Sequence, residues 1–247
     1  MELKTLSKTK DSMSFLIKGI NQAYANTLRR LMMSEVPTMA IEEVEFKKNN
    51  SILYDEIIAH RMGLLPLKTD LKTMDEKSEI QFTLKAKGPG YVYASELKSK
   101  DVKCKPVFPK TPIGKLLDKQ EIQLMATAKL GKGKNHMKWS PGTVHFVQEP
   151  TLTINNKSPK LVIFKEKYPS KAFDKKGQLD KKSILDNNLV DACQGVCDEV
   201  LKVDYSDSDF IFYIESWGQL DCKTIVIEAI KVFNDQLTEF AKLMKTK

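Results

Sequence analysis

The sequence predicts an α+β fold in which both ends of the chain build one domain around an insertion. Three observations indicate this arrangement. An amphipathic helix follows two short strands near the N-terminus, apolar and polar residues alternate through much of 70–165, and the chain ends in a strand and a long patterned helix. Neither end buries its apolar face alone. We therefore expect 1–50 and 208–247 to fold together, with 51–165 and 166–207 as two inserted regions.

The N-terminal segment is predicted to contain strands at 2–8 and 12–20 and then a helix over 21–35. The apolar stripe of this helix follows the i, i+4, i+7, i+8 spacing of one helix face. It consists of Tyr24, Leu28, Leu31 and Met32. Asn21 is a favourable N-cap residue, and Pro37 ends the helix because it disfavours the α conformation in the residue before it.

The middle of the chain is predicted to form a mostly antiparallel β domain, which we place at 51–165. It begins with a helix over 51–59, capped by Ser51, whose apolar face consists of Ile52, Leu53, Ile57 and Ile58. Apolar residues then alternate with polar ones in the pattern of half-buried strands. The predicted strands of this domain are 80–86, 91–94, 121–129, 144–147, 151–155 and 160–165. A further strand, 39–46, in which the alternation is imperfect, precedes the domain.

The last third of the chain changes character twice. Residues 166–207 are polar and weakly periodic, with a helix predicted only at 189–201, and a strand follows at 209–217. The final helix then carries apolar residues at spacings of 4, 3, 4, 3 and 4. These residues, here named the terminal seam, are Val226, Ile230, Phe233, Leu237, Phe240 and Met244. A heptad pattern of this kind suits a helix pressed along another helix, so the seam needs a partner surface.

Composition narrows the class of protein. The net charge is +8 and the pI about 9.1, but the lysines are spread along the chain and are not interleaved with aromatic residues. We therefore expect no direct sequence-specific contact with nucleic acid. The chain has no apolar run of about 18 residues, and its N-terminus lacks the apolar stretch of a signal peptide. We expect a cytoplasmic protein without a membrane span, and four cysteines are too few for a secreted disulfide scaffold.

The sequence offers no catalytic or metal-binding motif. The three histidines do not form an HExxH pattern, and neither a GxSxG elbow nor a Walker phosphate loop is present. The 131–134 segment lacks the Ser or Thr of a phosphate loop, which favours a flexible turn. Glu42, Glu43 and Glu45 are expected to be solvated or paired with lysine. The sequence thus predicts neither catalytic residues nor metal ligands.

Three contiguous motifs carry a family resemblance. They are Asn26–Pro37 with Ala40–Val44, then Ala59–Leu67, and finally His136–Pro141. Their residues and their order closely resemble the motifs of one family of RNA polymerase subunits. That family comprises the D subunit of the archaeal enzyme, the bacterial alpha subunit and the third-largest subunit of eukaryotic polymerase II. The resemblance covers nearly the whole chain and weakens between about Phe164 and Asp209.

The resemblance implies a non-catalytic assembly platform of DNA-directed RNA polymerase. In that family the split domain is the dimerisation domain, and the partners are the small subunit L, subunits N and P, and the large catalytic subunits. Periodicity alone favours solvated arginines at positions 29 and 30, but the resemblance implies that Arg30, with Arg29, docks a large subunit. It also implies that the apolar helix residues Tyr24, Leu28 and Leu31 join the terminal seam at the dimer interface, and that other subunits contact His60, Arg61, His136 and Trp139.

Some members of this family carry a ferredoxin-like insert with an iron–sulfur cluster, and residues 166–207 depart from that pattern. If Cys197 matches the third cysteine of the family's run, the first, second and fourth positions hold Asp191, Gln194 and Leu201. Tyr168 precedes Pro169 where a further cysteine would stand, so only Cys193 and Cys197 remain in this region. A four-iron cluster needs four converging thiolates. We therefore expect a degenerate ferredoxin-like subdomain without a cofactor, held by Phe173, Leu185, Leu189, Val196 and Val200.

Two alternative functions stay open on sequence grounds. The basic balance admits an independent nucleic-acid-binding protein, which would show steep salt dependence of DNA binding by the isolated chain. The cysteine pair admits a redox or iron–sulfur protein, although its spacing disfavours a cluster.

Overall fold

The computed structural model describes residues 1–75, 77–99 and 101–245 and has the mixed α+β architecture that the sequence predicts. In this part of the chain the strands are β1 (Glu2–Lys8), β2 (Ser12–Lys18), β3 (Pro37–Asn49), β4 (Glu79–Lys87), β5 (Gly90–Tyr93), β6 (Lys98–Ser99), β7 (Pro112–Leu116), β8 (Glu121–Lys132), β9 (Gly142–Ile154) and β10 (Leu201–Ser216). The helices are α1 (Gln22–Ser34), α2 (Asp55–Gly63), α3 (Lys160–Phe164), α4 (Lys181–Asp186), α5 (Val190–Cys193) and α6 (Cys222–Lys245). No helix among the described residues is long and apolar enough to cross a membrane.

The chain divides into two compact units. Unit 1 comprises Met1–Lys4, Leu16–Gln22 and Val147–Ile211. Unit 2 comprises Thr5–Phe15, Ala23–Phe146 and Phe212–Lys247. Each unit thus combines segments that are far apart in the sequence.

An antiparallel sheet with the strand order β3-β8-β4-β6 forms the centre of unit 2. Strand β8 pairs with β3 on one side and with β4 on the other. In β4 every second residue is buried, as the clean alternation of the sequence predicts. The core under this sheet includes Ile80, Phe82, Leu84, Leu124, Ile58 and Met62, so α2 covers the sheet. A separate two-stranded sheet pairs β5 with β7.

Two β-bulges explain the imperfect alternation of β3. The register against β8 shifts between Ile41 and Glu43 and again between Phe46 and Lys48. Each bulge inserts one residue, which moves the following side chains to the other face of the strand. As a result Ile41 is buried while both Glu42 and Glu43 are exposed.

A second four-stranded sheet has the order β1-β2-β10-β9. Within unit 2, the ring of Phe212 stacks on Phe15 at a centroid distance of 5.2 Å and lies 5.5 Å from that of Phe146. The backbone N–H of Ser216 donates to the carbonyl of Asp11 over 2.7 Å. The ring contact of Phe15 with Phe212 and the backbone hydrogen bond between Asp11 and Ser216 join the two ends of the chain. One buries apolar surface and the other pairs backbone polar groups.

Unit 1 has an apolar core of its own. Its buried members are Leu152, Leu161, Tyr168, Ala172, Leu179, Ile184, Cys193, Val200 and Leu201. Of the five core residues predicted for 166–207, Val200 is fully buried, whereas Phe173, Leu185, Leu189 and Val196 are partly buried against this core.

Several of the predicted elements need correction. The first helix of the middle region runs over Asp55–Gly63 rather than 51–59, and Ser51 instead donates to Asn49 within the preceding turn. The strands predicted at 144–147 and 151–155 are one strand, β9. Of residues 189–201 only Val190–Cys193 form a helical turn, α5, and Gly195, with a φ of +75°, follows its end. The strand at 209–217 begins earlier, at Leu201.

The strand predicted at 160–165 is wrong, because these residues form α3. The run Leu-Val-Ile-Phe is rich in residues that favour strands. However, Pro159 occupies the N-cap position, and the backbone N–H of Leu161 already donates to Ser158. Burial then follows a helical spacing of three, with Leu161 buried and Phe164 half-buried.

The glycine-rich segment 131–134, at the end of β8, is also more ordered than a flexible turn. Gly131 belongs to β8, and a Cβ on Gly133 would lie 2.2 Å from the carbonyl oxygen of Met33. A Cβ on Gly131 would lie 2.4 Å from the buried ring of Trp139. Trp139 is itself fixed, since its Nε1–H donates to the carbonyl of Lys129 over 3.1 Å.

We predict that Gly131→Ala lowers the free energy of unfolding by about 1–3 kcal/mol, because the added methyl group overpacks the site. Gly114→Ala is the matched control, since its Cβ meets only Leu53 Cδ1 at 3.6 Å, an ordinary contact. Chemical denaturation of both variants measures the difference. Equal stability of the two variants would contradict the packing described here.

Candidate subunit-docking surface

Helix α6 carries one broad apolar side, and the described residues cover it only over its first turns. The covered face consists of Cys222, Ile225 and Ala229, all of which are buried. The terminal seam lies beside this face on the helix and continues past it toward the C-terminus. Its first residue, Val226, is half-buried, whereas Ile230, Leu237, Phe240 and Met244 are 42%, 50%, 63% and 66% exposed. From Asn234 to Lys245 every residue of the helix is exposed.

The helix α1 contributes to the same surface of unit 2. Its side chains Ala25, Leu28, Leu31 and Met32 are buried within the chain. Tyr24 is half-buried, and its ring meets that of Phe233 edge-on at a centroid distance of 6.2 Å. Tyr24 and Phe233 thus join α1 to the terminal seam. The assignment of Leu28 and Leu31 to a dimer interface stays a prediction.

The two arginines of α1 have different surroundings. Arg29 is half-buried, and its guanidinium donates to the side-chain oxygen of Asn26 over 3.0 Å and 3.2 Å. Arg30 is exposed, and its side chain makes no ion pair or hydrogen bond with the described residues. Of the pair, Arg30 therefore has the guanidinium that is free to bind a carboxylate.

Residues of the second motif lie on α2. His60 and Arg61 are both exposed. The guanidinium of Arg61 donates to the carbonyl of Pro112 over 2.8 Å, which ties α2 to β7. Nearby large apolar side chains are also exposed, namely Ile52, Tyr54, Ile57 and Leu64.

The third motif divides between the surface and the core. His136 is exposed, and its Nδ1 accepts from the backbone N–H of Lys138. Trp139 is buried, and the ammonium group of Lys138 lies 4.4 Å from the centre of its ring. Lys138 also pairs with Glu42, and Lys129 with Glu43 at 2.7 Å, as expected for lysine-paired glutamates. In this chain Trp139 is a core residue that holds the motif in place.

The four cysteines are divided between the two units. Cys104 and Cys222 belong to unit 2, and Cys193 and Cys197 to unit 1. Cys193 lies on α5, but Cys197 lies beyond the end of that helix, so the two do not share a helix face. Tyr168, at the position that the resemblance gives to a further cysteine, is buried in the core of unit 1. These residues do not fit a four-iron cluster, which needs four thiolates. Among the described residues, no three His, Cys, Asp or Glu side chains are grouped to hold a metal.

An open cleft of unit 2 is lined by both signs of charge. Glu35 carries the only acidic group in its lining, 3.7 Å from the ammonium of Lys132 and 3.9 Å from that of Lys134. Because these lysines pair with the carboxylate, the cleft holds a surface ion-pair network.

An exposed apolar helix face of this extent is typical of a chain that assembles with others. Residues 14–237 match the family described as the RNA polymerase Rpb3/Rpb11 dimerisation domain. This chain therefore belongs to that family.

Several curated proteins named DNA-directed RNA polymerase subunit Rpo3 are similar to this chain. The protein of Pyrococcus furiosus is 36% identical, with 97% of this chain and 95% of that protein covered. The protein of Thermococcus kodakarensis is 35% identical, with 94% and 93% covered. The protein of Pyrococcus horikoshii is 44% identical over a shorter stretch, 64% of this chain and 63% of that protein.

Sequence reasoning identified the terminal seam but missed the covered face of α6. Its members, Cys222, Ile225 and Ala229, follow a spacing of 3 and 4 that the sequence shows. They were missed because two of them are small, and the larger side chains of the seam dominate the pattern.

Thiol reactivity tests the placement of the cysteines. Burial raises the pKa of the Cys104 thiol to about 12, and burial also raises the pKa of Cys193 and Cys222. These three thiols stay protonated at mildly alkaline pH, and only the thiolate attacks. Cys197 is half-buried.

We predict that a carboxylate-bearing aromatic disulfide reagent modifies one thiol of the native chain at least about tenfold faster than the other three. Cys197→Ser should remove this fast phase, and the denatured chain should show four equivalent thiols. A fast phase that persists in Cys197→Ser would contradict the placement.

Proposed function

We infer that this chain is a non-catalytic assembly subunit of a DNA-directed RNA polymerase. Membership of the Rpb3/Rpb11 dimerisation family and the similarity to Rpo3 proteins support this inference. The single observation that carries it is the terminal seam, an apolar helix face that the chain leaves exposed. The role is structural, and the proposal assigns no step of nucleotidyl transfer to this chain. Work within the polymerase implies a cytoplasmic location.

The finer proposal is a discontinuous dimerisation domain built from 1–50 and 208–247. The packing of Phe15 on Phe212 and of Tyr24 against Phe233 supports it, because each contact joins the two segments. In this proposal 51–165 is a β-rich insert domain, and 166–207 is a degenerate ferredoxin-like subdomain. The apolar core of unit 1 supports the assignment of 166–207, since packing of this core can hold the subdomain together without an iron–sulfur cluster.

The proposed partner of the terminal seam is the small subunit L, which would lay a helix of its own along α6. Burying a large apolar side chain contributes roughly 1.5–3 kcal/mol. Several such side chains can therefore offset the entropic cost of association. The resulting heterodimer presents Arg30 to a large catalytic subunit. The exposed residues His60, Arg61 and His136 are proposed to contact further subunits, including N and P.

We predict that Leu237→Glu weakens the heterodimer by roughly 3 kcal/mol or more, because it places a charge in a desolvated helix contact. Gln236→Glu is the matched control, since it adds the same charge to the same helix at a position outside the seam. Titration of the labelled small subunit measures both dissociation constants. A heterodimer that tolerates both changes equally would show that the seam is not the interface.

A second prediction concerns the large subunit. Arg30→Ala should leave the chain folded and heterodimeric but weaken recruitment of a large subunit by about 2 kcal/mol, as loss of an interface hot spot would. Lys47→Ala removes an exposed cation from β3 and serves as the control. Stepwise reconstitution of the polymerase, followed by size-exclusion chromatography, measures recruitment. Normal recruitment by Arg30→Ala would refute the assigned role.

The third prediction is that unit 1 binds no iron–sulfur cluster. Protein purified without oxygen should be colourless, should lack broad absorption near about 400 nm, and should contain no stoichiometric iron or sulfide. Cys197→Ser should assemble like the unchanged chain. A brown preparation with about three or four irons per chain would contradict the proposal.

A further inference from the structure

A short hairpin in unit 1 presents two lysines at its tip. Phe173 and Leu179 form the bridge that closes it. The carboxylate of Asp174 accepts from the backbone N–H groups of Lys176 and Gln178 over 2.8 Å and 2.9 Å. Gly177, with a φ of +74°, completes the turn. This side-chain cap fixes the turn and leaves Lys175 and Lys176 exposed.

A third ammonium group lies beside this tip. The Nζ atom of Lys165 is 3.4 Å from the place where a Cβ on Gly177 would stand, and 5.7 Å from the centre of the Phe173 ring. Lys165 comes from a different turn of the chain, directly after α3. Among the described residues, Lys165, Lys175 and Lys176 make no ion pair. Lysines from two segments thus lie around this turn, and the one carboxylate within it, that of Asp174, is engaged by backbone N–H groups.

Next to these lysines, α3 exposes two aliphatic side chains. Val162 and Ile163 are 80% and 74% exposed, whereas Leu161 of the same helix is buried in the core of unit 1. Leu161 holds the helix, so the exposed pair has a fixed position. Residues three apart on a helix are neighbours, which places Val162 beside Lys165 as the chain turns toward the hairpin.

Charge is strongly segregated along this unit. Residues 157–182 contain nine lysines and three acidic residues, a net charge of +6. Residues 183–209 contain seven acidic residues and one lysine, a net charge of −6. A ligand for the basic half must therefore be anionic and also short or localised, because an extended polyanion meets repulsion from the acidic half.

We propose that Val162, Ile163, Lys165, Lys175 and Lys176 form a docking surface for an acidic polypeptide segment that carries aliphatic side chains among its carboxylates. Carboxylates pair with the three ammonium groups, and an aliphatic side chain covers the exposed Val–Ile pair. A nucleic-acid strand fits less well. Every aromatic residue of 157–182 is buried or half-buried, so no ring is presented for base stacking, and the segment has no arginine. This proposal does not depend on the polymerase assignment.

The test uses the full chain and a fluorescent glutamate-rich peptide with a central Leu-Leu pair, with binding followed by fluorescence anisotropy. Reversal of the three charges in Lys165→Glu/Lys175→Glu/Lys176→Glu should weaken binding by about tenfold or more. The control triple Lys47→Glu/Lys85→Glu/Lys110→Glu changes net charge equally at exposed lysines of unit 2 and should alter binding less than about twofold. Circular dichroism confirms that each variant is folded.

A second variant tests the apolar half of the surface. Val162→Ser/Ile163→Ser should bind the Leu-Leu peptide no better than a plain glutamate peptide of equal length. Four results would overturn the proposal. The unchanged chain could fail to bind the Leu-Leu peptide, or the two lysine triples could lose equal affinity for it. The unchanged chain could bind a single-stranded DNA of equal length more tightly than the peptide. Finally, the chain could self-associate in a way that only the Lys165/Lys175/Lys176 triple abolishes.

Discussion

The apolar side of α6, covered at the start of the helix and exposed over its later turns, is the constraint on which the rest of this structure depends. One face, Cys222 to Ala229, packs into unit 2 and fixes the first turns of the helix. The terminal seam beside it continues for several turns, and from Asn234 to Lys245 every residue of the helix is exposed. A long helix gains most of its stability from packing, so the exposed half of α6 has a strong thermodynamic preference for a partner. The folded chain therefore leaves an apolar surface that a partner can cover.

The contacts between the two ends of the sequence orient that surface. Phe15, Phe146 and Phe212 pack together, and Tyr24 of α1 reaches Phe233 of α6. The contacts of Phe15 with Phe212 and of Tyr24 with Phe233 join segments about 200 residues apart in the sequence, so this surface forms only when both ends of the chain have folded together. Coupling of this kind suits an assembly platform, because only a folded chain presents the docking surface.

Much of this could be predicted from the sequence, and the failures have physical causes. The seam and the strand at 80–86 were predictable because each has one strong period. Strand β3 was blurred by two bulges, which no alternation pattern reveals in advance. Helix α3 was mistaken for a strand because its branched side chains, Val162 and Ile163, face solvent instead of a sheet. The sequence did not reveal that Trp139 is buried, because the close approach of its ring to Gly131 is visible only in the structure.

Hydrogen–deuterium exchange of the chain alone and of the chain in complex with the small polymerase subunit tests the central claim most directly. The account predicts that the backbone amides of 234–245 exchange rapidly in the isolated chain, since the helix has no packing partner there. In the complex the same amides should become strongly protected, while those of 175–177 should not change. Protection of 234–245 that is already complete in the isolated chain, or that does not increase in the complex, would contradict the claim that this face of α6 is an interface.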